Sequence, residues 1–245
     1  MYICFWGGDI YRKYDENKKE DVYLKYFIKR AKGIISLTQG DYEIIKEKYD
    51  VEGKYFAGQY PEKEKIQKFI NTKKQNSIKN ILLGNSVTET NCHFEMLEKL
   101  SKYKEEDFKL IVPLSYGNKE YAERVKDYGK SIFKESFISL DDFMEPEEYG
   151  RILSTIDIGI FYNNRQQAMG NINSLLSMNT KIYLRPGTTM WYRYKDEINC
   201  TIYNADDIGN ITFDDFIYCE KEELERNCKV YVEYFDEKNL KKSGI

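Results

Sequence analysis

The chain has 245 residues, 41% of them hydrophobic, which supplies one large core or two modest ones and argues against disorder. Its 38 basic and 41 acidic residues are interspersed and leave a net charge of −3, so the strongly basic face that duplex nucleic acid requires is excluded as a partner surface. Five scattered cysteines without a CxxC pair and a lone histidine, His93, supply a metal site poorly and fit a reducing compartment.

With no apolar run near the ~18 residues of a membrane span and no signal-peptide core, a cytoplasmic location is expected. A first strand is expected at Tyr2 to Trp6, leading into WGGDIY, with Asp9 ending that strand after two glycines. Residues 21–32, DVYLKYFIKRAK, have helical spacing: Tyr23, Phe27 and Arg30 share one side, Leu24 and Ile28 the adjacent one, with Lys25, Lys29 and Lys32 flanking. Two readings fit this helix. It either buries Leu24, Phe27 and Ile28 against a sheet, or touches an anionic lipid surface, where each cation contributes ~1 kcal/mol.

A second strand falls at Gly33 to Leu37, and the polar, lysine-rich QYPEKEKIQKFINTKKQNSIKN after it reads as a hinge. This divides the chain into a partial N-terminal domain over 1–60, a linker over 61–77 and a C-terminal domain over 78–245. Further strands are expected at Ile78 to Leu83, Phe108 to Pro113, Ile156 to Phe161 and Lys181 to Leu184, with weaker ones near Ser131 to Phe133 and Cys200 to Tyr203. Helical segments lie between most of them, which predicts an α/β fold of right-handed βαβ units with parallel sheets.

Two strand-loop-helix units stand out. In ILLGNSVTETNCHFEMLEKL the turn at Gly84, Asn85 and Ser86 leads to a helix carrying Phe94, Leu97 and Leu100 three apart. In IDIGIFYNNRQQAMGNINSLLSMNTKIYL a loop with Arg165, Gln166 and Gln167 precedes a helix opened by Gly170 and Asn171. Neither has the Gly-Lys-Ser/Thr of a P-loop. Two helix N-termini aimed at one diphosphate contribute ~0.3–1 kcal/mol each, and a charged hydrogen bond from arginine roughly 1.5–3. The pair is a candidate nucleotide-diphosphate cradle.

The runs GNSVTETNCHFEMLEKL, VPLSYGNKEYAERV and YGRILSTIDIGIFYNNRQQAMGNINSLL, with WGGDIY at residues 6–11, resemble the bacterial 4-alpha-L-fucosyltransferase family from about Phe5 to about Tyr203. The resemblance implies a GT-B architecture of two Rossmann-like domains, an inverting transfer without metal or cofactor, and a donor site mainly in the C-terminal domain. It further implies transfer of an N-acetylfucosamine-like sugar from a dTDP-sugar to an undecaprenyl-diphosphate-linked glycan of enterobacterial common antigen. The place of work would then be the inner face of the bacterial cell membrane, with peripheral attachment. Two departures qualify it. Family members carry a longer segment ahead of the W-G-x-D-x-Y stretch, so a truncated N-terminal sheet or a fragment is expected, and RPGTTMW keeps Trp191 but alters what precedes it.

Each candidate has two readings. Asp9 is a general base worth ~10²- to 10⁴-fold in rate, or a turn or N-cap aspartate. His93, in the first turn of its helix, contacts phosphate or stays neutral. Gly84, Asn85 and Ser86 bind diphosphate or only form the turn. Arg165 clamps phosphate or pairs with a surface carboxylate, and the resemblance favours the clamp. Gln166 and Gln167 hold sugar or ribose, or are solvated, and Tyr116 stacks on thymine or packs. No Asp-x-Asp sits in a phosphate-facing loop, and Asp141-Asp142 and Asp206-Asp207 read as helix-start or turn residues. A catalytically incomplete nucleotide-sugar binder and a ligand-free interaction domain are the alternatives.

Overall fold

The computed structural model describes residues 1–58 and 78–234, so the expected linker over 61–77 lies outside the described residues. The first part holds strands β1 (Tyr2–Cys4), β2 (Gly33–Ser36) and β3 (Lys54–Ala57), all parallel in the order β1-β2-β3. Helices α1 (Gly7–Tyr11), α2 (Lys19–Lys29) and α3 (Gln39–Tyr49) alternate with them. Thr38 starts α3 by accepting the Asp41 N–H on its hydroxyl at 3.0 Å, and Asp50 ends it in the left-handed region. Phe5, Ile10, Ile28, Ile34, Ile45 and Tyr49 form the small core.

The second part is a six-stranded, wholly parallel sheet built from β4 (Lys79–Leu83), β5 (Phe108–Pro113), β6 (Phe137–Leu140), β7 (Ile158–Phe161), β8 (Lys181–Leu184) and β9 (Tyr203–Asn204), in the order β6-β5-β4-β7-β8-β9. Its helices are α4 (His93–Leu100), α5 (Lys119–Phe133), α6 (Pro146–Ser154), α7 (Met169–Ser177), α8 (Thr189–Tyr192), α9 (Phe213–Ile217) and α10 (Lys221–Tyr234). Strand alternation divides the apolar side chains between two faces. Ile81, Leu83, Leu110 and Val112 pack with Leu97, Leu100 and Val125 of α4 and α5, whereas Leu82, Ile111, Phe161 and Ile182 pack with Ile172 and Leu175 of α7. Burial on both faces explains why these strands read as continuous apolar runs.

The α/β fold with parallel sheets agrees with the sequence, and several boundaries differ. Residues 131–133 are the end of α5, because Tyr121, Val125, Gly129 and Phe133 continue one buried helical stripe, and the strand follows at β6. The strand expected at Cys200 to Tyr203 is limited to β9, with Cys200 and Ile202 buried from irregular backbone. β3 was not expected: four residues between Gly53 and Gly58 are too few to show a period. The first strand stops at Cys4, so Asp9 lies in α1 rather than at a strand end.

Candidate active site

The strand order reverses between β4 and β7. From β4 the chain winds outward through β5 and β6, and from β7 it winds the other way through β8 and β9. Loops leaving β4 and β7 at their C-terminal ends therefore diverge, and the gap between them is where open α/β sheets bind ligands. A cleft of about 310 Å³ lies there. Asn85 from the loop after β4 and every residue from Arg165 to Asn171 line one side, while Trp6, Gly7 and Leu37 of the three-stranded part line the other.

The two loops are tied together. Gln167 accepts a hydrogen bond from the Thr90 hydroxyl at 2.6 Å and donates one to the Asn85 side-chain oxygen at 3.1 Å. Asn91, fully buried, is the hub beneath. Its amide group donates to the Ser86 carbonyl and the Thr88 hydroxyl, both at 2.9 Å, and its oxygen accepts from the Asn85 N–H and from the Asn163 side chain. Gly84, at φ +70°, sits close against this hub and His93, where a Cβ would fall 2.8 Å from the Asn91 oxygen. The helices that follow the two loops are both entered through a left-handed non-glycine residue, Cys92 at φ 52° and Ala168 at φ 61°.

Arg165 is half-buried in the cleft. Its guanidinium donates to the Gln166 carbonyl at 3.2 Å, and among the described residues no carboxylate lies within ion-pair distance. Burial lowers its pKa, the mark of a cation short of water. Beside it the first turn of α7 presents Met169, Gly170 and Asn171 to the cleft, with the unsatisfied N–H groups and positive dipole end of a helix N-terminus. The Asn171 amide also donates to the Tyr149 hydroxyl at 2.8 Å. A desolvated arginine next to a helix N-terminus is suited to an anion such as a diphosphate.

Of the residues singled out from the sequence, the structure brings Asn85, Arg165, Gln166, Gln167, Gly170 and Asn171 together in the cleft wall. Gly84 and Ser86 stand behind that wall. His93 is buried, its Nδ1 is 3.3 Å from the Tyr121 hydroxyl, and burial pushes its pKa down to about 4, which makes it a neutral packing residue. Only one of the two expected helix N-termini, that of α7, opens on the cleft. Tyr116 is 77% exposed and Asp9 is exposed, its carboxylate accepting the Trp6 N–H at 3.3 Å; neither lines the cleft. Sequence reasoning passed over Gly7, Leu37, Asn91 and Asn163. The glycine pair at 7 and 8 was a signal for the first, since any side chain at Gly7 would collide with the backbone of Gln166 across the cleft.

A family model described as "4-alpha-L-fucosyltransferase glycosyl transferase group 56" matches residues 1–239. Among solved structures, a glycosyltransferase from Rickettsia africae superposes with a TM-score of 0.70 at 15% identity, over 99% of this chain and 68% of its own. The N-terminal domain of trehalose-6-phosphate phosphatase from Candida albicans gives 0.68 at 13%, over 88% and 57%, and TarM gives 0.66 at 13%, over 99% and 49%. The chain thus spans about half to two thirds of the length of the structures it matches. These likenesses give the fold, which is that of the GT-B glycosyltransferases.

Proposed function

Because the chain belongs to the 4-alpha-L-fucosyltransferase family of glycosyl transferase group 56, we propose that it is a glycosyltransferase that moves an N-acetylfucosamine-like amino-deoxysugar from a dTDP-sugar to an undecaprenyl-diphosphate-linked glycan in bacterial surface polysaccharide synthesis. The observation that carries the reading is Arg165, desolvated beside the α7 N-terminus without a carboxylate partner among the described residues. In this reading the acceptor hydroxyl attacks the anomeric carbon from the face opposite the diphosphate, so the sugar is transferred with inversion. The bond from that carbon to the diphosphate oxygen breaks, and Arg165 with the α7 N–H groups stabilises the charge that leaves. The hydroxyl proton passes to a carboxylate, and Asp9, two residues beyond Gly7 in the cleft wall, is the one we assign. No metal is required in this scheme. Asp141, of the pair Asp141-Asp142, is held by Lys126 at 3.5 Å, and Asp206, of the pair Asp206-Asp207, accepts the Tyr162 hydroxyl at 2.6 Å, so one carboxylate of each pair is engaged elsewhere and neither pair lines the cleft.

A lipid-linked acceptor requires work at a membrane surface, and α2 is the contact we propose. Val22, Tyr23, Tyr26 and Phe27 form an exposed ridge while Ile28 is buried and Leu24 half-buried, so Phe27 faces out rather than into the core. Residues 12–32 hold eight basic against four acidic side chains on a chain of net charge −3. Aromatic groups beside cations suit an anionic interface. Among the described residues no helix is long and apolar enough to cross a membrane.

Calorimetric titration with dTDP, followed by turnover with a dTDP-amino sugar and a polyprenyl-diphosphate glycan in EDTA, tests the whole reading. Heat with turnover supports it, heat without turnover leaves a nucleotide-sugar binder, and no heat removes the donor site. Restoration of activity by magnesium after EDTA would overturn the metal-free scheme. Vesicle co-sedimentation of Tyr23→Ser with Phe27→Ser tests α2, and binding equal to that of the unaltered chain would exclude it.

A further inference from the structure

The contact between the two sheets contains a buried carboxylate that the transfer scheme does not use. Asp41, in the first turn of α3, has no exposed surface. One of its oxygens, Oδ1, accepts the Tyr11 hydroxyl of α1 and the Thr189 hydroxyl of α8, each at 2.9 Å, and those two hydroxyls are 3.2 Å from one another. Its other oxygen, Oδ2, is buried without a hydrogen-bond partner among the described residues. Tyr11 and Asp41 belong to the three-stranded part and Thr189 to the six-stranded part, so the triangle spans the junction. Arg193, one turn beyond Thr189, is the charged group facing Asp41 from the larger part, and Tyr11 the titratable one from α1.

Packing around the triangle is close. Gly40 lies against Thr189, where a Cβ would come within 2.9 Å of the threonine methyl, and Leu37 enters the apolar cluster of the larger sheet. α1, which carries Tyr11 at its end, carries Gly7 at its start, and Gly7 lies so close to Gln166 across the cleft that there is no room for a Cβ. A burial penalty this large is tolerated only where the geometry is held by several partners at once.

We infer that Asp41 is a positioning residue: by gathering the hydroxyls of Tyr11 and Thr189 it fixes α1 against α8 and so sets the distance at which Gly7 and Trp6 face the 165–171 loop. Its effect on the reaction is exerted through the cleft width, without contact with substrate. The kinetic arm of its test rests on the proposed transfer, and the exchange arm does not.

Thr189→Val and Tyr11→Phe delete the two hydroxyls while nearly keeping their shapes, and Asp41→Ala deletes the oxygen that accepts both. Each is expected to fold, to speed amide hydrogen exchange in residues 37–41 and 165–171 by tenfold or more, and to leave exchange in β4 and β5 unaltered. kcat should fall at least tenfold while dTDP affinity stays within threefold, and Thr189→Val with Tyr11→Phe should lose no more than the worse single variant, because one triangle is removed in each case. Exchange in 165–171 unchanged relative to β5, or kcat within twofold of the unaltered chain, would overturn the inference. If the unaltered chain transfers no sugar, the transfer reading fails and the exchange result alone decides the role of Asp41. Thr189→Ser keeps the hydroxyl and should keep exchange and kcat within twofold of the unaltered chain, and where Thr189→Val does not fold, Thr189→Ala deletes the hydroxyl in its place.

Discussion

The six-stranded sheet buries β7 and β8 over their whole length, whereas in the three-stranded sheet two of the three residues of β1 are exposed and β3 has none fully buried. The larger sheet is covered on both faces by its own helices. The smaller one has, among the described residues, a core of Phe5, Ile10, Ile28, Ile34, Ile45 and Tyr49 with Ala31 and Val51 beside them, and sends Leu37 into its neighbour's core. Half of the cleft is therefore a rigid wall, and the other half takes its position from contacts across the junction. Arg165 and the α7 N-terminus, the features suited to an anion, line the first wall, while Asp9, the base we propose, lies two residues past Gly7 of the second.

Truncating a core side chain in each part gives the largest effects and separates them. Leu175→Ala in α7 and Ile45→Ala in α3 both remove a fully buried aliphatic group, and each should cost about 2–5 kcal/mol. Followed by hydrogen exchange in urea, Leu175→Ala is expected to lower the protection of both parts, and Ile45→Ala that of residues 1–58 alone. If both variants lower protection uniformly, the two sheets unfold as one unit and the contrast is lost.

Acid should move the two parts in opposite directions. His93 is held at about 4 by burial, against 6.5 in an unfolded chain, so the folded state binds fewer protons between those values. Its contribution is present above pH ~6.5 and is lost as the pH falls to about 4, roughly 3 kcal/mol in all. Asp41 has the reverse sign: burial raises its pKa, so the stability linked to it is present at low pH and is lost as pH rises through its folded value. Unfolding of β4 and β5 followed from pH 7 to 4 should show the loss, and His93→Gln should remove that part of the slope. A slope left unchanged by His93→Gln would show that other groups carry it.

Arg165→Ala tests the rigid wall directly and should weaken dTDP binding by about 1.5–3 kcal/mol, the range for a hydrogen bond to a charged group. Trp6→Ala, on the opposite wall, should weaken it by less. Calorimetry on both variants checks the order, and a larger loss for Trp6→Ala would place the nucleotide on the three-stranded side.

The larger sheet was legible in the sequence because burial on both faces leaves an unbroken apolar signature, as in Ile81 to Leu83 and Ile158 to Phe161. β3 and the true position of β6 were not, since four-residue strands show too few periods and the Phe133 stripe hid a helix end. The cleft was half legible. Arg165, Gln166 and Gln167 lie on a continuous segment, and local reading found them. Asn91 and Leu37 are placed by contacts across many residues, and nothing in their neighbours marks them. His93 shows the limit of helix-end reasoning: it occupies the first turn as expected, but Tyr121 of α5 closes over it.

The smallest effects compare the same chemistry in the two parts. Thr38 and Thr212 each start a helix by accepting a backbone N–H three residues on, Asp41 at 3.0 Å and Asp215 at 3.1 Å. Replacing such a cap by alanine costs about 0.5–2 kcal/mol. Thr212 is exposed at the start of α9 in the larger part, so water replaces its oxygen and Thr212→Ala should fall at the low end. Thr38 is fully buried directly beneath Asp41, and its loss leaves the Asp41 N–H with neither cap nor water, so Thr38→Ala should fall at the high end. The exchange of residues 37–41 should quicken in the second variant and not in the first. Equal costs would mean that water reaches the start of α3, and that the junction is more open than its packing implies.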